Sequence, residues 1–189
     1  MVFKHHVSVI TLLIFLAIIS CSSQVRGARR ITGEAVMYGM VYNEENMPVS
    51  NAEVFIDGKS TTFTDTQGRF ILISRQRNEF TLSVERTGYE TVSGIFRFEP
   101  MDVIHLVMVN AIQLINRAEI AMAEGRFHDV IALCNRALAL NAERIDASFL
   151  KALSLIRLRE YDLARIILEE LQERIGQRDY ISRVLEDLP

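Results

Sequence analysis

Tryptophan is absent from the chain, and only two cysteines, Cys21 and Cys134, occur in its 189 residues. So few thiols exclude a disulfide framework as the basis of the fold. No basic stripe interleaved with aromatic residues occurs, which removes the electrostatic footprint of a nucleic-acid binder. Neither a Gly-rich phosphate loop nor a nucleophile elbow is present. Histidine pairs suited to zinc are missing too: Met108 stands three residues after His105 and Ile131 three after His128, where a His-x-x-Glu pair would need glutamate. The expectation is therefore a protein without an active site, metal or cofactor. What is present is an ordinary globular composition, 49% hydrophobic and 24% charged, with room for one or two small domains. The formal net charge of -3 is unevenly spread, because Arg26, Arg29 and Arg30 cluster ahead of a more acidic body.

The first residues set the compartment. Lys4, beside His5 and His6, precedes an uncharged run from Val7 to Ile19, which is the pattern of an export signal. A spanning helix needs about 20 apolar residues, and this run is too short for one. Its end, Ile18-Ile19-Ser20-Cys21, resembles the lipobox of bacterial lipoproteins. The resemblance implies cleavage before Cys21 and acylation of its thiol, so residues 1–20 are read as signal peptide and 21–30 as a lipidated tether. Acyl chains contribute about 0.8 kcal/mol per buried CH2, so several of them hold a domain at a bilayer. The three tether arginines each add about 1 kcal/mol near anionic lipid. Ser22 is not the aspartate associated with inner-membrane retention in some bacteria. The implied address is the periplasmic side of the cell envelope, with the outer membrane preferred.

From residue 31 to 110 the hydrophobic period is two and turn residues recur every few positions. Strands are expected at Ala35–Tyr42, Ala52–Asp57, Ser60–Thr64, Arg69–Ile73, Glu79–Arg86, Thr91–Phe98 and Val103–Val109, separated by turns such as Asp57-Gly58 and Thr87-Gly88. Within this segment Gly39 and Val41, then Met47-Pro48-Val49-Ser50-Asn51-Ala52, then Thr64-Asp65-Thr66-Gln67-Gly68-Arg69-Phe70, then Gly88-Tyr89 follow one another. This order resembles the carboxypeptidase regulatory-like domain. The resemblance implies a prealbumin-like antiparallel β-sandwich that accompanies other modules and has no chemistry of its own.

Residues 111–189 change to a helical period and repeat internally. Ala118, Phe127, Val130, Cys134 and Ala137 recur as Ala152, Tyr161, Ala164, Leu168 and Leu171, each 34 positions later. Around Gly125 and Phe127 the chain resembles the inter-helix turn of tetratricopeptide repeats, although Arg159 replaces the turn glycine in the second copy and Ala142 the usual closing proline. Two repeats with a C-terminal capping helix are expected, so the fold class is two-domain, β plus α. In that family the first helix of each pair lines a concave groove. The matching positions are Ile112, Ile115, Glu119, Met122, Asp146, Phe149, Leu153 and Ile156, of which six are apolar. Such a face favours an apolar helix or strand as guest. Ile181, Val184, Leu185 and Leu188 stand at helical spacing, and the segment Tyr180–Leu188 either leaves this face open or covers part of it. Asn110 with Gln113 reads as a capping box that passes strand directly to helix. The first repeat would then cover Val103 and Val107.

The remaining reactive side chains have structural explanations. Cys134 sits on an apolar helix face, His128 on another face of that helix, and His105 on the side of its strand that faces solvent or the neighbouring domain. Asp65 bonds the amides of its own turn. The expected function is that of a membrane-anchored scaffold or assembly factor holding an envelope protein partner. The alternative is a glycan- or peptide-binding accessory module for an envelope enzyme. On this reading Cys21→Ala abolishes acylation and leaves the body soluble or unprocessed. Metabolic labelling with a fatty acid checks it, and a Cys21→Ala chain that still carries label sinks the anchor assignment.

Overall fold

The computed structural model describes residues 35–74, 79–97, 102–176 and 179–189. The expected leader and tether, with Cys21, lie outside the described residues, as does Phe98. The described residues form seven strands followed by five helices: β1 (Ala35–Asn43), β2 (Glu53–Ile56), β3 (Lys59–Phe63), β4 (Arg69–Ser74), β5 (Glu79–Glu85), β6 (Val92–Arg97), β7 (Val103–Met108), α1 (Ala111–Ala123), α2 (Phe127–Leu140), α3 (Ile145–Arg157), α4 (Tyr161–Ile175) and α5 (Asp179–Glu186). Strand bounds fall within one residue of those expected from period-two alternation, because alternation is what one buried sheet face imposes.

The strands make two sheets, ordered β4-β1-β7 and β3-β2-β5-β6. One expectation is corrected: the sandwich is not wholly antiparallel, since β7 pairs with β1 in parallel, Gly39 opposite Ile104 and Val41 opposite Leu106. The chain enters β7 from β6, which belongs to the other sheet. That passage between sheets supplies the crossover a parallel neighbour requires. Met37, Val41, Phe70, Leu72, Leu82, Val84 and Met108 fill the space between the sheets.

The two loop motifs of the sandwich are bonded to each other through Thr64. Its buried hydroxyl donates to the Val49 carbonyl at 2.7 Å and accepts from the Ala52 amide at 2.8 Å. A second tie is backbone to backbone, Val41 N–H to the Gly68 carbonyl at 2.7 Å. Gly68 has φ 73°, and a Cβ there would lie 2.3 Å from the Val41 carbonyl oxygen, so glycine is required on both counts.

Strand passes to helix without a linker. Asn110 accepts from the Gln113 amide at 2.9 Å and its own amide donates to the Gln113 side chain at 3.0 Å, so the expected capping box forms. Sandwich loops grip the first helical hairpin beside it. Glu90 accepts two bonds from the Arg136 guanidinium at 2.6 and 2.7 Å, Glu44 pairs with Arg117, and Glu45 accepts from Gln113. Val103 and Val107, by contrast, stay 43% and 53% exposed. The helices do not cover them as expected, because the joint is made by polar loops at one end of the sandwich and not by a sheet face.

The helices repeat strictly. α1, α3 and α5 begin at 111, 145 and 179, a spacing of 34 twice, and α2 and α4 begin at 127 and 161. Ala118 and Ala152, Val130 and Ala164, Cys134 and Leu168, and Ala137 and Leu171 are all buried. The inter-helix turns repeat as well. Gly125 N–H donates to the Met122 carbonyl and Arg126 N–H to Ala121; Arg159 donates to Ile156 and Glu160 to Leu155, at matching distances of 3.0 and 2.9 Å. Arg159 adopts φ 65° to do so, beside φ 74° for Gly125. The turn is therefore imposed by helix packing even where no glycine favours it.

Two predictions follow from these contacts. A left-handed Cβ costs about 1–2 kcal/mol, while glycine costs roughly 0.5–1 kcal/mol in unfolded-chain entropy. Arg159→Gly should then stabilise by about 0.5 kcal/mol in urea unfolding, and Gly125→Ala should destabilise by about 1 kcal/mol. Arg159→Gly that loses stability refutes this account of the turn. The hydrogen bonds from Arg136 hold the Glu90 carboxyl below its ordinary value of 4.5. A depressed carboxylate contributes stability that is full above the unfolded value and lost as pH falls through the folded one. Glu90→Gln should thus cost about 0.5–1 kcal/mol at pH 7, in keeping with a partly exposed pair. In paired melts the gap should close on acidification below pH 4.5, and a gap independent of pH refutes the assignment.

Candidate functional site

Because α1, α3 and α5 occupy equivalent places in the 34-residue period, their side chains converge on one surface. Met122 of α1, Leu153, Ile156 and Arg157 of α3, Val184 of α5, and Asp187 and Leu188 just beyond its end line a groove of about 410 Å³. Its floor is aliphatic and thioether. One cation and one anion, Arg157 and Asp187, are its charged members. An apolar groove with few polar groups gains most from covering an apolar surface.

Of the eight residues expected to line the groove, three do: Met122, Leu153 and Ile156. Phe149 is half-buried and meets the Tyr180 ring edge-on at 5.4 Å, so α5 covers it. Ile115 corrects the expectation, since it is only 3% exposed and belongs to the core with Leu114, Ala118, Ala121 and Val130. Enclosed in that cluster, it offers almost no surface to the groove. Ile112, Glu119 and Asp146 are exposed but do not line the groove. Asp146 is taken up by Arg144, which donates to it at 3.0 Å, and by the Ala147 amide.

Arg157 and Asp187 escaped the sequence reading, whereas Val184 and Leu188, expected on the capping segment, line the groove with them. The 34-residue period reaches this segment as well, since Ile181 lies 34 positions after Ala147 and both are fully buried. α5 is consequently a wall of the groove. It is held to α4 by the buried Ile181 with Leu168 and Leu171, and by a bond from Gln172 to Ser182 at 2.9 Å.

The other reactive groups are occupied or enclosed. Burial pushes the Cys134 thiol up to about 11, so it is neither exposed nor ionised near neutrality. His128 and His105 face solvent. Asp65 accepts from the Arg69 amide at 2.9 Å, from the Arg69 guanidinium at 2.9 Å and from the Gln67 amide at 2.8 Å. Those bonds, the Arg69 amide foremost, hold its carboxyl below the usual range. The sandwich bears two further depressions. One, of about 520 Å³, includes Tyr38, Met40, Phe63, Ile71 and Val103; the other, of about 380 Å³, includes Asn51, Glu53, Glu85, Arg86 and Thr87. Among the described residues no three His, Cys, Asp or Glu side chains gather as metal ligands would.

Residues 37–118 match the family model of the CarboxypepD_reg-like domain. The match begins within β1 and runs past the last strand into α1, which supports the family resemblance of the β-sandwich. No curated protein matches the chain. Among solved structures, 3-chlorocatechol 1,2-dioxygenase from Rhodococcus opacus 1CP is 10% identical, with 41% of this chain covering 60% of that one at a TM-score of 0.34. A type II cohesin-X-dockerin complex from Acetivibrio cellulolyticus is 16% identical, with 39% of this chain covering 56% at 0.34. The major pilin subunit of Bacillus cereus is 12% identical, with 41% covering 29% at 0.33. The chain thus spans less than two thirds of the length of each.

Proposed function

We propose that the protein is an envelope lipoprotein, anchored through Cys21, that acts as a protein-binding scaffold or assembly factor. In this reading α1–α2 and α3–α4 are two tetratricopeptide repeats and α5 is the capping helix. The observation that carries it is the apolar groove between α1, α3 and α5. The repeated turn bonds, 34 positions apart, support the repeat assignment. The guest is an apolar face of a helix or strand, because five of the seven lining side chains carry no charge to recognise and none to leave unpaired. A second reading, glycan or peptide binding for a partner enzyme, has the polar depression at Asn51, Glu53 and Glu85 in its favour.

Leu153→Glu separates the two. A carboxylate at 153 that a bound guest strips of water, even beside Arg157, costs on the order of 1.4 kcal/mol or more, equivalent to about tenfold in affinity. Affinity capture from detergent-solubilised envelope should recover a stoichiometric protein partner with the native chain and markedly less with Leu153→Glu, while the thermal transition persists. Equal recovery by both chains removes the groove from the function. Retention on glycan without a protein partner selects the second reading.

A further inference from the structure

Both outer faces of the sandwich expose apolar side chains, but they differ in their acidic residues. Val36 and Tyr38 of β1, Ile71 and Ile73 of β4, and Val103 and Val107 of β7 are between 38% and 60% exposed. Cross-strand register makes them contiguous: Val36 opposes Ile73, Tyr38 opposes both Ile71 and Val103, and Tyr42 opposes Val107. None of these three strands contains aspartate or glutamate. The guanidinium at the border, Arg69, is already paired with Asp65 at 2.8 Å. On the other sheet, β2 and β5 supply Glu53, Glu79 and Glu85.

We infer that the outer face of β4-β1-β7 rests on the lipid surface to which the chain is anchored. This rests on the Cys21 anchor proposed above. β1, the central strand of the sheet, is the continuation of the segment that carries Cys21. Residues 22–34 separate the two and reach at most about 50 Å when fully extended. That tether holds Arg26, Arg29 and Arg30, which draw it toward anionic headgroups and shorten the working distance. A face tethered so closely meets the bilayer at high effective concentration, so modest apolar contact is enough to seat it. Tyr38 and Tyr42 suit the headgroup level, where an apolar ring and a hydroxyl are both satisfied. Depth is limited to that level, because the unpaired edges of β4 and β7 keep backbone groups that need water.

The test supplies the anchor chemically. The mature chain from Cys21 is coupled through that thiol to a maleimide phospholipid in vesicles of phosphatidylcholine and phosphatidylglycerol. Buried Cys134, with its raised pKa, does not compete for the reagent. Benzoylphenylalanine replaces Ile71 in one sample and Ile95, 75% exposed on β6 of the other sheet, in a second. Irradiation should give lipid adducts at 71 in at least roughly fivefold excess over 95. Equal yields at the two positions overturn the inference, as do adducts at 71 that consist of dimers of the chain. Failure of acylation in cells is read separately by the fatty-acid label, so loss of the anchor and loss of the seated face are distinguishable.

Discussion

The passage from β7 to α1 through Asn110 constrains everything after it. Asn110 bridges to Tyr89, its amide and side chain close the capping box with Gln113, and the Glu90 amide donates to the Val109 carbonyl at 2.8 Å. These bonds on both sides of the joint resist a rotation there. Glu90, Glu44 and Glu45 then grip α1 and α2 from the sandwich loops. The orientation of the first hairpin is set by these bonds, and each later helix is placed by packing on its predecessor. Gln113 shows how fully the joint is satisfied: it is 3% exposed, yet its side chain bonds both Asn110 and Glu45. Among the described residues no buried side-chain nitrogen or oxygen lacks a partner. Such satisfaction makes a buried polar joint specific, because any other orientation would strand donors.

From that joint the helical period generates the groove. Small residues at Ala118, Ala121, Ala147 and Ala152 allow close helix approach on the inner side of the array. The larger Met122, Leu153 and Ile156 are left at the surface between α1, α3 and α5. The same packing forces Arg159 into a backbone region that arginine disfavours, so tertiary contacts there outweigh a local penalty of about 1–2 kcal/mol. The sandwich contributes two outer faces, one whose strands contain no aspartate or glutamate, the other carrying glutamates. The apolar groove and the acid-free sheet face are separate features, built on different elements.

Much of the fold was legible in the chain itself. Alternation of Phe80, Leu82 and Val84 with Thr81, Ser83 and Glu85 placed β5 to within a residue, because a two-sided strand must sort its side chains. Asn110 and Gln113 announced a cap, since capping depends on residues three apart and on nothing distant. The 34-residue echo of Ala118, Val130, Cys134 and Ala137 marked the buried positions of both helical pairs. What remained hidden depends on contacts between segments far apart. The parallel pairing of β7 with β1 joins the last strand of the sandwich to the first, and no local pattern encodes it. Ile115 and Met122 are both apolar residues of α1, and only the packing of α2 and α3 decides that the first is core and the second is groove. Val103 and Val107 stay open because the helices meet loops at the end of the sandwich, a choice made by Glu44, Glu45 and Glu90 across long sequence separations. Local periodicity thus determined the elements and their buried faces, whereas long-range pairing, which is invisible to periodicity, decided which apolar residues would stay at the surface.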